Sequence, residues 1–252
     1  HTVYWPAFLM SAGLPVPKKV YGHGFILNRG EKESKSLGNV TDPVELAERF
    51  GVDNLRYFLM REVTFGQDGS YSPESIVGRC NAELANSFGN LVQRTLSMIV
   101  KNIGGRLEIV ATADADEALL TQVRAACREE LPRAFEELAF SHGIEDWMQA
   151  VWACNRYVDE QAPWALRKTH PERMTAVLMT LIQAIGELAM AIQPVVPGKA
   201  AAVLDMLGVP ANARGHADMA SGWFEALVKA GHPLAPPAPV FPRLELPETA
   251  PA

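Results

Sequence analysis

The chain is short of several things, and each shortage removes a class of function. It has 3 cysteines in 252 residues, Cys80, Cys127 and Cys154, and no Cys-x-x-Cys pair. No zinc site can be built from that pattern. The three read as small buried hydrophobes in a reducing compartment, and a cytoplasmic location is expected. A surplus of positive charge is also missing: 23 Lys+Arg against 29 Asp+Glu leave a net charge of −6. Basicity is not concentrated either, since residues 1–72 carry 8 basic against 8 acidic side chains, residues 73–170 carry 10 against 14, and residues 171–252 carry 5 against 7. Binding of nucleic acid by charge alone is thereby excluded, so any RNA contact must rely on shape, stacking and base hydrogen bonds. Nothing resembles a signal peptide, and no uninterrupted apolar stretch is long enough to cross a bilayer. The longest apolar-rich region, Met174 to Ile192, is broken by Thr180, Gln183 and Glu187 and reads as a buried helix. His1 opens the sequence inside an apolar, aromatic run, so a piece of a longer protein is expected.

What is present suffices for a core, since 48% of the residues are hydrophobic. Length alone allows one large domain or two modest ones. Residues 17–27 are rich in aromatic and β-branched side chains and read as a strand-pair element, with turn chemistry at Asn28-Arg29-Gly30. Asp42-Pro43 marks a helix start, Asp42 capping and Pro43 in the first turn, and Gly51 ends that helix. A second helix begins near Asp53 and places Leu55, Phe58, Leu59 and Val63 on one face. The stretch Thr64 to Ser72 reads as a boundary.

From Pro73 to about Pro197 the pattern is helical. A long helix should run to Asn102 and stop at Gly104-Gly105, burying a stripe through Leu84, Phe88, Leu91, Thr95 and Met98. A second should start at Asp114 or Asp116 and meet Pro132. A third should span Ser141 to about Lys168 with Trp147, Val151, Cys154 and Val158 inward, and a fourth Pro171 to Ile192. Four antiparallel helices with short links imply a bundle, and the fold is expected to be mainly α. The last 20 residues hold 7 prolines and should be extended, with Phe241, Leu244 and Leu246 available to pin them to the body.

The segment most suggestive of chemistry is Lys32-Glu-Ser-Lys35-Ser36-Leu-Gly-Asn39, between Gly30 and Gly38. Two ammonium groups and two hydroxyls on one loop suit a polyphosphate, because lysine is a mobile point charge and serine a small hydrogen-bonding partner. Alone, such a string is also what a solvated surface loop looks like. Its neighbours make the case: His1-Thr-Val-Tyr-Trp5-Pro6-Ala-Phe, His23-Gly-Phe, Asn86-Ser-Phe-Gly-Asn90-Leu-Val-Gln-Arg94, and Tyr157-Val-Asp-Glu-Gln-Ala-Pro-Trp164. Together, and in this order, these strings resemble the C-terminal portion of the methionyl-tRNA synthetase family of class I aminoacyl-tRNA synthetases. The resemblance covers nearly the whole chain.

The resemblance implies a ligase that activates methionine with ATP and Mg2+ and transfers it to the 3′ end of tRNA(Met); nothing in the sequence suggests a fused dimerising module, and a monomer is expected. It implies that Lys32 and Lys35 stabilise charge on the phosphates, with Ser34, Ser36 and His23 also at the nucleotide. Lys35 matches the family's second and more important lysine. The family's usual loop reads Lys-Met-Ser-Lys-Ser, so Glu33 is a departure that should weaken the local field unless it points outward. His1 matches a histidine of the methionine pocket. Asn86, Asn90 and Arg94 fall within roughly 80° on one helix face and match anticodon readers, while Trp164 matches a tryptophan that stacks an anticodon base. Trp5, Pro6, Trp147 and Trp152 read as core.

The implied organisation has residues 1–30 as the end of a Rossmann-like nucleotide-binding catalytic domain and residues 31–72 as a lysine-loop and stem-contact region. Residues 73–207 would be a helical anticodon-binding bundle, and residues 208–252 a C-terminal segment packing back on the body. A class I enzyme also needs a His-x-Gly-His element, and none occurs here: His23-Gly-Phe, His142-Gly-Ile and His216-Ala-Asp do not qualify. The chain alone is therefore expected not to form an aminoacyl-adenylate. Another class I synthetase, for cysteine or leucine, a non-catalytic tRNA-binding module and a helical scaffold without an RNA role remain open alternatives at this point.

Overall fold

A computed structural model describes the chain except for Lys35, residues 37–39 and residues 247–252. It is mainly helical, with one two-stranded sheet among the described residues. Helix α1 (Tyr4–Ser11) buries none of its residues. Trp5, at 46% exposure, and half-buried Pro6 are therefore not core, contrary to the sequence expectation. The expected strand at 17–27 contracts to β1 (Ile26–Asn28), which pairs in parallel with β2 (Gly69–Tyr71) in the register Ile26 to Gly69. Three residues are all that β2 offers as a partner, and Pro17 has no N–H for a ladder.

Between the strands lie α2 (Pro43–Phe50) and α3 (Val52–Glu62). Asp42 caps α2 as its sequence proposes, accepting the Val44 N–H at 2.7 Å. Beyond β2, Ser72 accepts the Ser75 N–H at 3.1 Å and Ser75 Oγ accepts the Ser72 N–H at 2.9 Å, which starts α4 (Pro73–Arg79). That helix widens into a π-helical stretch over Cys80–Gly89 and returns to α geometry as α5 (Asn90–Ile103), ending at left-handed Gly104. Leu84, Phe88, Leu91 and Thr95 are buried along it, and Met98 packs against the core from the side.

Helix α6 (Asp114–Ala125) does not stop at Pro132. It passes through a second π-helical turn, Ala126–Glu130, into α7 (Leu131–Glu136). Proline lacks an N–H and presses on the carbonyl four residues back, and a widened turn just before it relieves both conflicts. The next helix, α8 (Phe140–Gln161), is shorter than expected. Ala162 takes a left-handed φ of 42°, and Pro163 then opens a separate turn, α9 (Pro163–Leu166). A residue before proline is disfavoured in the α region, so the break belongs there. Helices α10 (Pro171–Ile192), α11 (Pro197–Leu207) and α12 (Trp223–Ala230) complete the body.

Helix α10 is the axis of the core, buried along nearly its whole length. Its one core carboxylate, Glu187, is 2% exposed and is held by Arg128, with Nε at 2.9 Å. Trp147 on α8 donates its Nε1–H to the Leu188 carbonyl at 3.0 Å and meets Phe88 edge-on at 5.1 Å. Gly186 lies under the ring of Trp223, where an added methyl would stand 2.2 Å from the indole. All three cysteines are free and buried, and burial pushes the Cys80 and Cys154 thiols up to about 12. The C-terminal segment is pinned by Phe241, 5.8 Å from the Phe88 ring, and by Asn81, which clamps both the carbonyl and the N–H of Leu244. Leu246 stays exposed and pins nothing.

The lysine-loop region and the bundle meet through α3. Glu83, in the π-helical stretch, accepts from Tyr57 Oη at 2.6 Å, Arg79 Nη1 at 3.1 Å and Arg61 Nε at 3.3 Å. Arg61 also reaches Glu145 on α8. Arg56 donates to the carbonyls of Pro194 and Val195 beyond the end of α10, and Asp53 accepts the Lys199 N–H at the start of α11. Removing the Glu83 carboxylate would leave a buried tyrosine hydroxyl and two arginines without their shared acceptor. Glu83→Ala should lower the unfolding free energy by about 3–5 kcal/mol, read by urea titration. Gly186→Ala should cost about 1–3 kcal/mol in the same assay, through overpacking against Trp223.

Candidate functional site

The lysine segment leaves the sheet through a tight turn in which Asn28 and Glu31 exchange backbone hydrogen bonds at 2.9 Å. The turn is tied to β2 and α4: Arg29 N–H donates to the Tyr71 carbonyl, Gly30 N–H to Ser70 Oγ at 2.8 Å, and Arg29 pairs with Glu74 at 2.9 Å. Lys32 Nζ sits over the Phe25 ring, 5.1 Å from its centre. Ser34 and Ser36 are brought together, with their hydroxyl oxygens 2.6 Å apart. Lys35 lies outside the described residues. His23 is exposed and precedes β1 instead of lying on it. Its neighbour Gly24 presses on the backbone of Gln67, so closely that a methyl there would stand 2.1 Å from the Gln67 oxygen. His1 is exposed at the start of the chain, ahead of α1.

Glu33 does not face the solvent as a free charge. Its Oε1 accepts the Tyr71 hydroxyl at 2.5 Å. That hydrogen bond, with smaller help from Thr41 and against some desolvation, holds the Glu33 carboxyl below its ordinary value. The acid that interrupts the family's loop pattern is thus turned onto β2.

Along the body of the long helix, Asn86 and Asn90 are exposed and Arg94 is half-buried. Asn86 lies within the π-helical stretch, so its angular offset from Asn90 is not that of a regular α-helix. Arg94 clasps α5 to α8: Nη1 meets Asp159 Oδ1 at 3.1 Å, and Nη2 meets Asn155 Oδ1 at 2.9 Å and its carbonyl at 3.2 Å. Its Nε is buried with no hydrogen-bond partner. An arginine held this way is largely neutralised as a charge and keeps a fixed planar fork.

Trp164 is 55% exposed, which removes the core-packing reading of it. Trp147 is fully buried and Trp152 partly so, as expected of core tryptophans. The segment carrying Trp164 is set by a network that sequence reasoning missed. Asp116 is fully buried and accepts from Arg173 Nη2 at 2.7 Å, from Tyr157 Oη at 2.5 Å and from the Ala113 N–H at 2.9 Å. Arg173 then reaches Gln161 Oε1 at 2.6 Å, just before the left-handed Ala162. Tyr157, Asp159 and Gln161 all belong to the string that ends in Trp164, and their alternation along one helix end was the available signal.

Comparison with known proteins bears on both ends. Residues 1–96 match the model of class I (M) tRNA synthetases, and residues 108–250 match the anticodon binding domain of methionyl tRNA ligase. A methionine–tRNA ligase of Brucella suis is 51% identical over 244 residues, covering 96% of this chain and 46% of that protein. One from Mycobacterium tuberculosis is 46% identical over 253 residues, covering 98% and 48%. The crystal structure of the M. tuberculosis methionyl-tRNA synthetase bound by methionyl-adenylate superposes with a TM-score of 0.87 at 44% identity, over 96% of this chain and 47% of that one. The chain spans about half the length of the curated relatives it matches.

Asp116 gives the Trp164 support a pH signature. Burial opposes its ionisation, but Arg173, the Ala113 N–H and Tyr157 outweigh burial and hold its carboxyl below the ordinary value. The folded protein therefore binds this proton more weakly than the unfolded chain, and the stabilisation is complete above the unfolded value of about 3.9. It is lost as pH falls through the lower, folded value. Asp116→Asn should be less stable than wild type at neutral pH and should show a flatter loss of stability below about pH 4, followed by urea titration at each pH.

Proposed function

We propose, because this chain belongs to the methionyl-tRNA synthetase family, that it supplies the lysine loop and the anticodon-reading bundle of a methionine–tRNA ligase. One observation supports this most. A single helical run, Pro73 to Ile103, begins where the lysine segment is tied down and carries Asn86, Asn90 and Arg94 along its body. Asn90 lies 18 residues beyond Ser72 along that run.

In the first step a methionine carboxylate oxygen attacks the α-phosphorus of ATP in line. An oxygen–phosphorus bond forms, the bond to the bridging oxygen breaks, and pyrophosphate leaves with the electron pair. The protein has little covalent work there, so stabilising negative charge on the phosphates is its main contribution. Lys32 and Lys35 are assigned to that, with the Ser34 and Ser36 hydroxyls as hydrogen-bonding partners and His23 near the nucleotide. Mg2+ would neutralise phosphate oxygens alongside them. In the second step a terminal ribose hydroxyl of tRNA(Met) attacks the carbonyl of the adenylate and AMP leaves. His1 is assigned to the methionine pocket.

Anticodon recognition is assigned to Asn86, Asn90, Arg94 and Trp164. Two amides and a held guanidinium can read base edges by directional hydrogen bonds, and the exposed indole can stack a base. This fits the net charge of −6, because discrimination then comes from geometry and not from general attraction to RNA.

Lys35→Ala in the full-length protein should abolish methionine-dependent ATP–pyrophosphate exchange while leaving tRNA affinity unchanged. Exchange that persists would leave a tRNA-binding module as the better reading. Trp164→Ala should weaken tRNA(Met) binding about 5- to 150-fold, equivalent to one stacked base. Because the side chain is 55% exposed, the thermal midpoint should hardly move. Equal affinity of wild type and variant, by fluorescence titration, would remove Trp164 from the reading surface.

A further inference from the structure

We propose that Tyr71, Glu33 and Thr41 form a clip that positions the lysine loop, with the Tyr71 hydroxyl at its centre. The proposal rests on the assignment of that loop to ATP. Glu33 stands at the entry to the segment and Thr41 at its exit, eight residues on. Both meet the same oxygen: Tyr71 Oη lies 2.5 Å from Glu33 Oε1 and in hydrogen-bond contact with Thr41 Oγ1. Asn28, at the end of β1, donates from Nδ2 to Thr41 Oγ1 at 3.2 Å. Entry strand, loop entry, loop exit and β2 thus converge on one side chain.

The proton inventory fits this arrangement. An ionised carboxylate only accepts, so the single Tyr71 proton goes to Glu33, and the Thr41 hydroxyl proton is shared between the tyrosine oxygen and that carboxylate. Tyr71 is itself well anchored. It is 7% exposed, it pairs with Asn28 across the parallel sheet, and the next residue is the Ser72 cap of α4. Such a point holds the entry and the exit of the segment close to each other. Lysine is a flexible point charge and gains most from such restriction when it must meet phosphates in one geometry. A methionine at position 33, the family's usual residue, offers no acceptor for the tyrosine proton. Glu33 accepts it and thereby ties down the stem of the loop.

The test uses full-length Tyr71→Phe, Glu33→Met, Glu33→Gln and the double variant Tyr71→Phe/Glu33→Met. Two readouts are taken: the rate of trypsin cleavage after Lys32 and Lys35, and the ATP and methionine KM values of pyrophosphate exchange. Tyr71→Phe and Glu33→Met should each be cleaved faster and show an ATP KM raised about tenfold, the equivalent of one hydrogen bond to a charged group, with methionine KM unchanged. The double variant should lose less than the sum of the two single ones, since both remove the Tyr71–Glu33 bond, while each also removes its own contact with Thr41. Glu33→Gln keeps an acceptor and should fall nearest to wild type. Unchanged cleavage, unchanged ATP KM or additive losses would each overturn the clip. If wild type shows no exchange, the ligase assignment falls, and the cleavage rates still decide the clip. If Tyr71→Phe fails to fold, Glu33→Met carries both readouts, because Glu33 is not part of the core.

Discussion

Glu83 is the charge on which the arrangement of the two ends depends. It is 7% exposed and sits in the π-helical stretch of the long helix, where α3 and the start of that helix lean together. A carboxylate taken out of water is costly unless donors surround it. Tyr57, Arg61 and Arg79 surround this one, two of them from α3 and one from the turn before it. An apolar contact at this place could stabilise as much, but it would slide. Directional hydrogen bonds to a shared acceptor fix both the angle and the register between the two helices. Burial and the Glu83 charge together raise the Tyr57 hydroxyl well above its ordinary range, which keeps it a donor to the carboxylate.

The distortions of the helices fall where the proposed chemistry lies. The long helix widens between Glu83 and Asn90, and α8 breaks at Ala162 immediately before Trp164. A left-handed alanine carries backbone strain of about 1–2 kcal/mol, and it persists because its surroundings leave no alternative. Arg173, locked bidentate on buried Asp116, holds Gln161 on one side, and Pro163 begins the next turn on the other. The outcome is an exposed tryptophan just past the end of a helix whose own tryptophans, Trp147 and Trp152, are buried and partly buried. A regular helix carried through Ala162 would leave Trp164 on the path of α8 itself.

Much of this was legible in the sequence wherever local chemistry decides structure. The Asp42 cap, the buried stripe from Leu84 to Thr95, the stop at Gly104 and the span of α10 all follow from capping chemistry and helical periodicity. The tail was legible only in part: Phe241 and Leu244 pin it, while Leu246 does not. Trp5 and Pro6 misled because an apolar run reads as core whatever is available to cover it, and α1 buries nothing here. Pro132 misled because a π-helical turn leaves no mark in composition. The pairs Tyr71 with Glu33, Arg173 with Asp116 and Arg94 with Asp159 lie 38, 57 and 65 residues apart. No periodicity links residues at such distances, so supporting residues stay hidden while the residues they support stand out in motifs.

The acidic balance of the chain then becomes an aid to selectivity. A basic surface would raise affinity for every RNA alike and would be screened by salt. Here the guanidinium proposed to read a base is paired with Asp159, and Lys32 rests over an aromatic face. Both contacts hold their donors in defined directions. What such groups contribute depends on an incoming group arriving in the right geometry, so a wrong base or a misplaced phosphate gains little from them. On the proposed function, discrimination at each end is set by how firmly the reading groups are held. The proposal then places the weight of specificity on Asp159, Asn155, Asp116 and Arg173, residues that need never touch the RNA.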